Sequence, residues 1–147
     1  MNGLVIKQGL LSLTFFRPST MGRLELPMFA SNVKMNSDFG GIEQKIDLNH
    51  FLIHHPSATF YVRVKGNAMV DSGIADGDML IVDRAIEPQN NSIAVCVING
   101  EFKIKRLKKE KKMIYMVQEN PEYPPMLITE SKDFQIWGVV TYVIHKV

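Results

Sequence analysis

The sequence predicts a mostly β fold with one short helix and an extended N-terminal arm. Apolar and polar residues alternate with a period of two in Phe60–Lys65, a pattern typical of a half-buried strand. The dipeptide Asn99-Gly100 separates two β-prone runs, and both residues tolerate the positive φ angles of a type I′ hairpin turn. The C-terminal run Phe134–Ile144 is also rich in β-branched and aromatic residues, which favours a strand.

Length and composition are those of one ordinary domain. The 147 residues are 46% hydrophobic and 22% charged, values typical of a soluble globular protein with a single core. The net charge of +2 is too small to indicate direct DNA binding. No run approaches the roughly 20 apolar residues of a membrane span, and Leu10–Phe16 ends at Arg17 without a signal-peptide cleavage pattern. The single cysteine excludes an internal disulfide and fits a reducing compartment. These features together predict a cytoplasmic protein.

Residues 1–42 are predicted to form an arm or linker, and residues 43–147 the β-domain. Met1–Met21 show no sustained period, which leaves open a short strand or a flexible arm. Met21 is an alternative start, because the more organised pattern begins at Leu24. Pro27–Gly41 is rich in Asn, Ser, Asp, Gly and Met, a composition that predicts an exposed linker.

A helix of about two turns is predicted over Ile46–Ile53. Asp47 is a suitable N-cap, and Pro56 prevents the helix from continuing. The apolar residues that share one helical face are Leu48, Phe51 and Leu52.

The remaining chain is read as strands joined by turns. The predicted strands are Thr59–Lys65, Met79–Val82, Ser92–Ile98, Glu101–Leu107, Met113–Val117 and Phe134–Ile144. Lys108–Lys112 is predicted as a charged turn and Asn120–Pro125 as a loop.

Lys105 is the candidate catalytic base. Because side chains alternate along a strand, Phe102 and Ile104 face one way, whereas Lys103 and Lys105 face the other. Burial lowers the pKa of a lysine amine, and a neutral amine beside a serine hydroxyl activates that nucleophile without a histidine. The residues alone leave open a second interpretation, in which Lys105 extends along the sheet with its charge in water.

Position 68 is the candidate nucleophile position. Gly66 allows a tight backbone turn just before it. The backbone amides of Ala68 and Met69 are candidates for an oxyanion hole.

Several motifs resemble the LexA/UmuD family of self-cleaving serine–lysine proteins, and its UmuD branch in particular. They are E-Q-K-I-D-L-N at 43–49, P-S-A-T-F at 56–60, V-K-G-N-A-M-V-D-S-G-I-A-D-G-D-M-L-I-V-D at 64–83, G-E-F-K-I-K-R-L at 100–107 and W-G-V-V at 137–140. The resemblance spans residues 43–147. It implies a compact β-domain whose cleft holds a serine nucleophile and a lysine base, and it implies dimerisation.

Carried over to this sequence, the resemblance assigns the base to Lys105 and the nucleophile position to Ala68. Family members read G-D-S-M where this chain reads G-N-A-M at 66–69. Alanine has no nucleophilic atom, so the chain is predicted to be an inactive member of a peptidase family. Ser72, in the adjacent turn, is a poor substitute. The cleavage pair Cys-Gly or Ala-Gly, followed by F-P-S-P, is also missing from residues 29–41.

The resemblance implies a role in the SOS response, as an accessory protein of translesion DNA synthesis. The expected partners are a second copy of the chain, a translesion DNA polymerase subunit and the RecA–single-stranded DNA filament. One alternative is an active self-cleaving peptidase in which alanine replaces the serine at position 68. A fragment of a LexA-type repressor is disfavoured, because residues 1–42 lack the pattern of a helix-turn-helix.

Four other features are given structural interpretations. His50 and His54 have the spacing of a metal-binding helix, yet no third ligand is evident, so surface histidines are predicted and neither a metal nor a cofactor is expected. Cys96 lies in an apolar strand and is predicted to be an inert core residue. Lys103–Lys112 is interpreted as a solvated hairpin, and Tyr123-Pro124-Pro125 as a rigid loop.

Overall fold

A computed structural model of the chain describes residues 4–8, 11–16, 25–29, 42–66, 73–118, 120–129, 131 and 133–147. The strands are β1 (Leu4–Gln8), β2 (Leu11–Phe16), β3 (Glu25–Phe29), β4 (Ile42–Asp47), β5 (Thr59–Lys65), β6 (Met79–Asp83), β7 (Ile93–Ile98), β8 (Glu101–Glu110), β9 (Met113–Met116), β10 (Met126–Leu127) and β11 (Phe134–Ile144). One α-helix, α1 (Leu48–Leu52), and one 3-10 helix, Pro56–Ala58, precede β5.

Among the described residues, nine strands form one antiparallel sheet. Their order is β1-β2-β5-β6-β11-β7-β8-β9-β10, and β3 pairs with β4 in a separate two-stranded sheet. The prediction of a mostly β fold is therefore confirmed. The long strand β11 lies between β6 and β7 and begins and ends at the predicted residues, Phe134 and Ile144.

Two clusters of buried side chains form the core of the described part of the chain. The larger cluster consists of Leu13, Phe15, Val62, Val64, Ile74, Leu80, Val82, Val95 and Ile104. The smaller cluster consists of Ala94, Cys96 and Leu107. Strand β8 contributes Ile104 to one cluster and Leu107 to the other, because residues an odd number apart in a strand face opposite sides of the sheet.

The N-terminal segment forms strands of the main sheet. Of the two expectations for Met1–Met21, the structure has the strand in the described residues, since β2 pairs with β5 from Ser12 opposite Lys65 to Phe16 opposite Tyr61. Leu13 and Phe15 of β2 are buried in the larger cluster. Whether residues 1–42 form a separate unit, and whether Met21 is an alternative start, stay predictions.

The predicted linker Pro27–Gly41 is wrong in its first part. Pro27 to Phe29 belong to β3 and pair with β4. The composition did not predict this strand, because proline is unfavourable in most strands. The rest of the predicted linker, residues 30–41, lies outside the described residues.

The helix is shorter than the predicted two turns. Its first predicted residue, Ile46, pairs within β4 instead. Asp47 is the N-cap, as expected, and its carboxylate accepts a hydrogen bond from the Asn49 N–H at 3.0 Å. None of the residues of α1 is buried. The helix therefore contributes no buried side chain to the core.

The Asn99-Gly100 turn is confirmed, whereas the charged turn is displaced. Asn99 and Gly100 have φ angles of 51° and 80° and connect β7 to β8. Strand β8 continues to Glu110, three residues beyond the prediction, because the main chain at 107–110 pairs with β9. The turn itself is Lys111-Lys112, in which Lys111 adopts the positive φ of 59°.

The described part of the chain contains no helix with the length and hydropathy needed to span a bilayer.

Candidate functional site

Lys105 lies in the middle of β8, half-buried, directly opposite Ala94 of β7. Residues opposite each other share a face of the sheet, so Lys105 points to the side of the smaller cluster, which contains Ala94, Cys96 and Leu107. Phe102 and Ile104 pack with the larger cluster. The predicted alternation along β8 is confirmed, and the lysine lies on the face of the smaller cluster.

The positive charge of Lys105 acts on the thiol of Cys96, which lies on the same face of the sheet. Burial raises the pKa of the Cys96 thiol to about 12, and the positive charge of Lys105 acts in the opposite direction without overcoming it. The thiol contacts the Ala94 carbonyl oxygen at 3.9 Å. Cys96 is fully buried, so its predicted place in the core is confirmed.

The segment that carries position 68 begins at Gly66. Gly66 follows the end of β5 and has a φ of 103°, a conformation that favours glycine. Its N–H donates a hydrogen bond to the Asp76 carboxylate at 2.8 Å. Gly66 thus has the backbone conformation that a tight turn needs, and the turn itself stays a prediction. Ala68, Met69 and Ser72 lie outside the described residues, so the nucleophile position and the candidate oxyanion hole remain predictions.

The same segment ends at Gly73, and the residues after it fold back onto β5. Ile74 is fully buried in the larger cluster. The Gly77 N–H donates to the Val64 carbonyl oxygen at 2.7 Å, and the Val64 N–H donates to the Asp78 carbonyl oxygen at 2.9 Å. The turn at 74–78 is thus fixed to β5 two residues before Gly66.

A buried carboxylate holds this turn from within. Oδ2 of Asp78 accepts a hydrogen bond from the Ala75 N–H at 2.8 Å, and Oδ1 lies 2.6 Å from Nδ1 of His145. Burial by itself raises the pKa of Asp78, but the Ala75 N–H and the hydrogen bond and charge of His145 outweigh burial, so the pKa lies below its ordinary value.

A second pair of the same kind lies at the other end of β6. Oδ2 of Asp83 lies 2.6 Å from Nδ1 of His55, and Oδ1 accepts a hydrogen bond from the Ala85 N–H at 2.8 Å. Sequence reasoning missed both pairs. The available signal was a carboxylate at each end of the apolar run 79–82, but nothing local identifies a histidine 67 residues away in the chain as the partner of Asp78.

The histidines considered as metal ligands are exposed. His50 and His54 both face solvent, as predicted for surface histidines. Within the described ranges, no three His, Cys, Asp or Glu side chains are grouped so as to hold a metal ion.

Comparison with known proteins gives a consistent result. The family model described as Peptidase S24-like matches residues 30–141. The chain is 40% identical over 105 residues to Protein ImpA of Salmonella typhimurium, a match that covers 71% of this chain and 70% of the relative. It is 39% identical over 101 residues to Protein MucA of Escherichia coli, covering 68% of each chain. It is 35% identical over 106 residues to the LexA repressor of Ectopseudomonas mendocina, covering 71% of this chain and 52% of that protein.

The chain therefore belongs to the Peptidase S24-like family. The match covers well over half of the sequence, and the resemblance to the LexA/UmuD family is confirmed by relatives named ImpA, MucA and LexA. The match to the family model begins at residue 30, so strands β1, β2 and β3 precede it.

Proposed function

We propose that the protein is a UmuD-like accessory factor of SOS mutagenesis that acts by binding and does not cleave itself. The single observation that carries the proposal is the alanine at position 68 within motifs that otherwise follow the family. A methyl group cannot attack a peptide carbonyl, whatever base stands beside it. The family's fold is retained together with the lysine at position 105.

The proposed partners follow from the UmuD-like branch rather than from a groove in the domain. They are a second copy of the chain, a subunit of a translesion DNA polymerase and the RecA–single-stranded DNA filament, and the proposed location is the cytoplasm. Direct binding to duplex DNA is not part of the proposal, since the net charge is only +2. In addition, two lysines of the hairpin segment Lys103–Lys112 lie close to glutamate carboxylates. Lys108 lies 3.6 Å from Glu110, and Lys103 lies 4.0 Å from Glu101.

The test is affinity capture of the full chain by immobilised translesion polymerase subunit from the same host. A second surface carries RecA filament assembled on single-stranded DNA, and a third carries duplex DNA alone. Retention on the polymerase, with none on duplex DNA, is expected. Retention on duplex DNA alone would favour a repressor, and retention on none of the three surfaces would contradict the proposal.

A second candidate is an active self-cleaving peptidase whose serine at position 68 has been replaced by alanine. Lys105 favours it, because this candidate base lies on a strand of the domain and a serine hydroxyl at position 68 would complete the serine–lysine pair of the family. Sequencing the chromosomal gene decides between the two. A serine codon at position 68 would establish the peptidase, and an alanine codon would establish the natural loss.

A further inference from the structure

Two histidine–aspartate pairs bracket strand β6. In each pair, Nδ1 of the histidine lies 2.6 Å from the carboxylate. The histidine side chains are about half exposed, at 46% for His55 and 56% for His145, whereas the aspartates are 6% and 1% exposed. The second carboxylate oxygen of each aspartate accepts a backbone N–H. The two pairs are therefore closely matched in geometry and burial, but they hold different parts of the chain.

The pair at Asp78 connects the C-terminal tail to the segment that carries position 68. His145 directly follows β11, whose last residue, Ile144, is paired with Met79 of β6. From Asp78 the hydrogen bonds continue to Ala75 and to Val64. From the same turn, the Asp76 carboxylate accepts the Gly66 N–H.

We infer that His145 is a positioning residue that acts through Asp78 and the turn at 74–78 on Gly66, two residues before position 68. Without a hydrogen-bond partner on Oδ1, the Asp78 carboxylate would be buried with half of its acceptor capacity unsatisfied, which is costly. The turn at 74–78 would then open more often to let water reach the carboxylate. Because this turn supplies the acceptor for the Gly66 N–H, opening would extend to the end of β5. Only the assignment of position 68 as the site position rests on the proposed function.

The pair at Asp83 provides the matched control. Its hydrogen bonds lead to the Ala85 N–H and, through the His55 main chain, to Thr59, whose hydroxyl donates to the His55 carbonyl oxygen at 2.7 Å. It therefore stabilises the start of β5 and the end of β6, away from Gly66. A variant at His55 should cost a comparable free energy of unfolding but should affect another region.

The test measures amide hydrogen exchange of the full chain by NMR for the variants His145→Ala and His55→Ala. The Gly66 and Ala75 amides are expected to exchange about tenfold faster in His145→Ala, since a hydrogen bond to a charged group contributes on the order of a factor of ten or more. In His55→Ala these amides keep their rates, and the Ala85 amide exchanges faster instead. Asparagine places an amide nitrogen close to the position of the histidine Nδ1, so His145→Asn is expected to restore most of the protection.

Two outcomes would overturn the inference. One is unchanged exchange at Gly66 in His145→Ala, and the other is the same acceleration at Gly66 in both alanine variants, which would indicate general destabilisation. The measurement needs neither self-cleavage nor a partner. Failure of the polymerase subunit to capture the chain would therefore contradict only the proposed function. Unaltered amide exchange in His145→Ala would contradict only the role inferred for His145.

Discussion

The ring of Phe15 packs edge-on against the ring of Trp137, with centroids 4.9 Å apart and planes inclined by 76°. Phe15 comes from β2, near the N-terminus, and Trp137 from β11, near the C-terminus. The ring of Phe102 in β8 completes the contact, at 5.2 Å from Phe15. This aromatic group joins the N-terminal strand to the core, because each large ring gains both buried area and a favourable edge-to-face geometry.

Replacement of Phe15 by alanine should destabilise the whole domain. Phe15 is 8% exposed, and deletion of a buried phenylalanine ring costs about 3–5 kcal/mol. The loss is measured by urea unfolding followed through the fluorescence of Trp137, the one tryptophan of the chain. Tyr123→Ala is the control, because Tyr123 is 65% exposed and its removal should cost less than about 0.5 kcal/mol. A loss at Phe15 as small as that of the control would contradict the packing of β2 on the core.

Gly138 should not tolerate a side chain. A Cβ atom at this position would lie 2.6 Å from Cγ1 of Val82 and 3.1 Å from Cγ of Arg84, so Gly138→Ala overpacks the contact between β11 and β6. The expected cost is about 1–3 kcal/mol, measured by urea unfolding. Val82→Ala removes the methyl group that clashes with the new Cβ atom. The loss of unfolding free energy in the double variant should therefore be smaller than the sum of the losses in the two single variants. If the two losses of unfolding free energy simply add, the clash with Val82 is not what destabilises Gly138→Ala.

Cys96 should not react in the folded protein. Burial raises the pKa of its thiol to about 12, so the reactive thiolate is scarce at neutral pH, and the side chain is fully buried. A chromogenic disulfide reagent is expected to modify Cys96 only after urea unfolds the chain. Tyr123→Cys supplies an exposed thiol as a positive control, which should react at once. Rapid modification of Cys96 in the native wild-type protein would argue against its place in the core.

Serine at position 68 should restore slow self-cleavage if Lys105 and the cleft are competent. Ala68→Ser supplies the missing hydroxyl, and cleavage should be faster at alkaline pH, where lysine amines lose their proton and become bases. The measurement is the intact mass after long incubation between neutral and alkaline pH. The additional change Lys105→Ala is the control and should abolish cleavage. If Ala68→Ser keeps its full mass at every pH, the arm or the cleft has lost its function as well as the nucleophile.

Much of the β-domain was predictable because its signals are local. The alternation in β5, the Asn99-Gly100 turn and the ends of β11 follow from side-chain periodicity and from the φ preferences of single residues. Errors arose where pairing overrides composition. Lys108 to Glu110 have the composition of a turn but form strand because β9 lies beside them, and Pro27 lies in β3 for the same reason.

The family, the candidate base Lys105 and the lack of a nucleophilic atom at position 68 can be read directly from the residues, because they depend on which atoms those residues carry. The burial of Phe15 in the core and the contact of His145 with Asp78 can be seen only in the folded chain. The reason is physical: both relationships depend on strand register and burial across long separations in the chain, and no local preference of either residue encodes them.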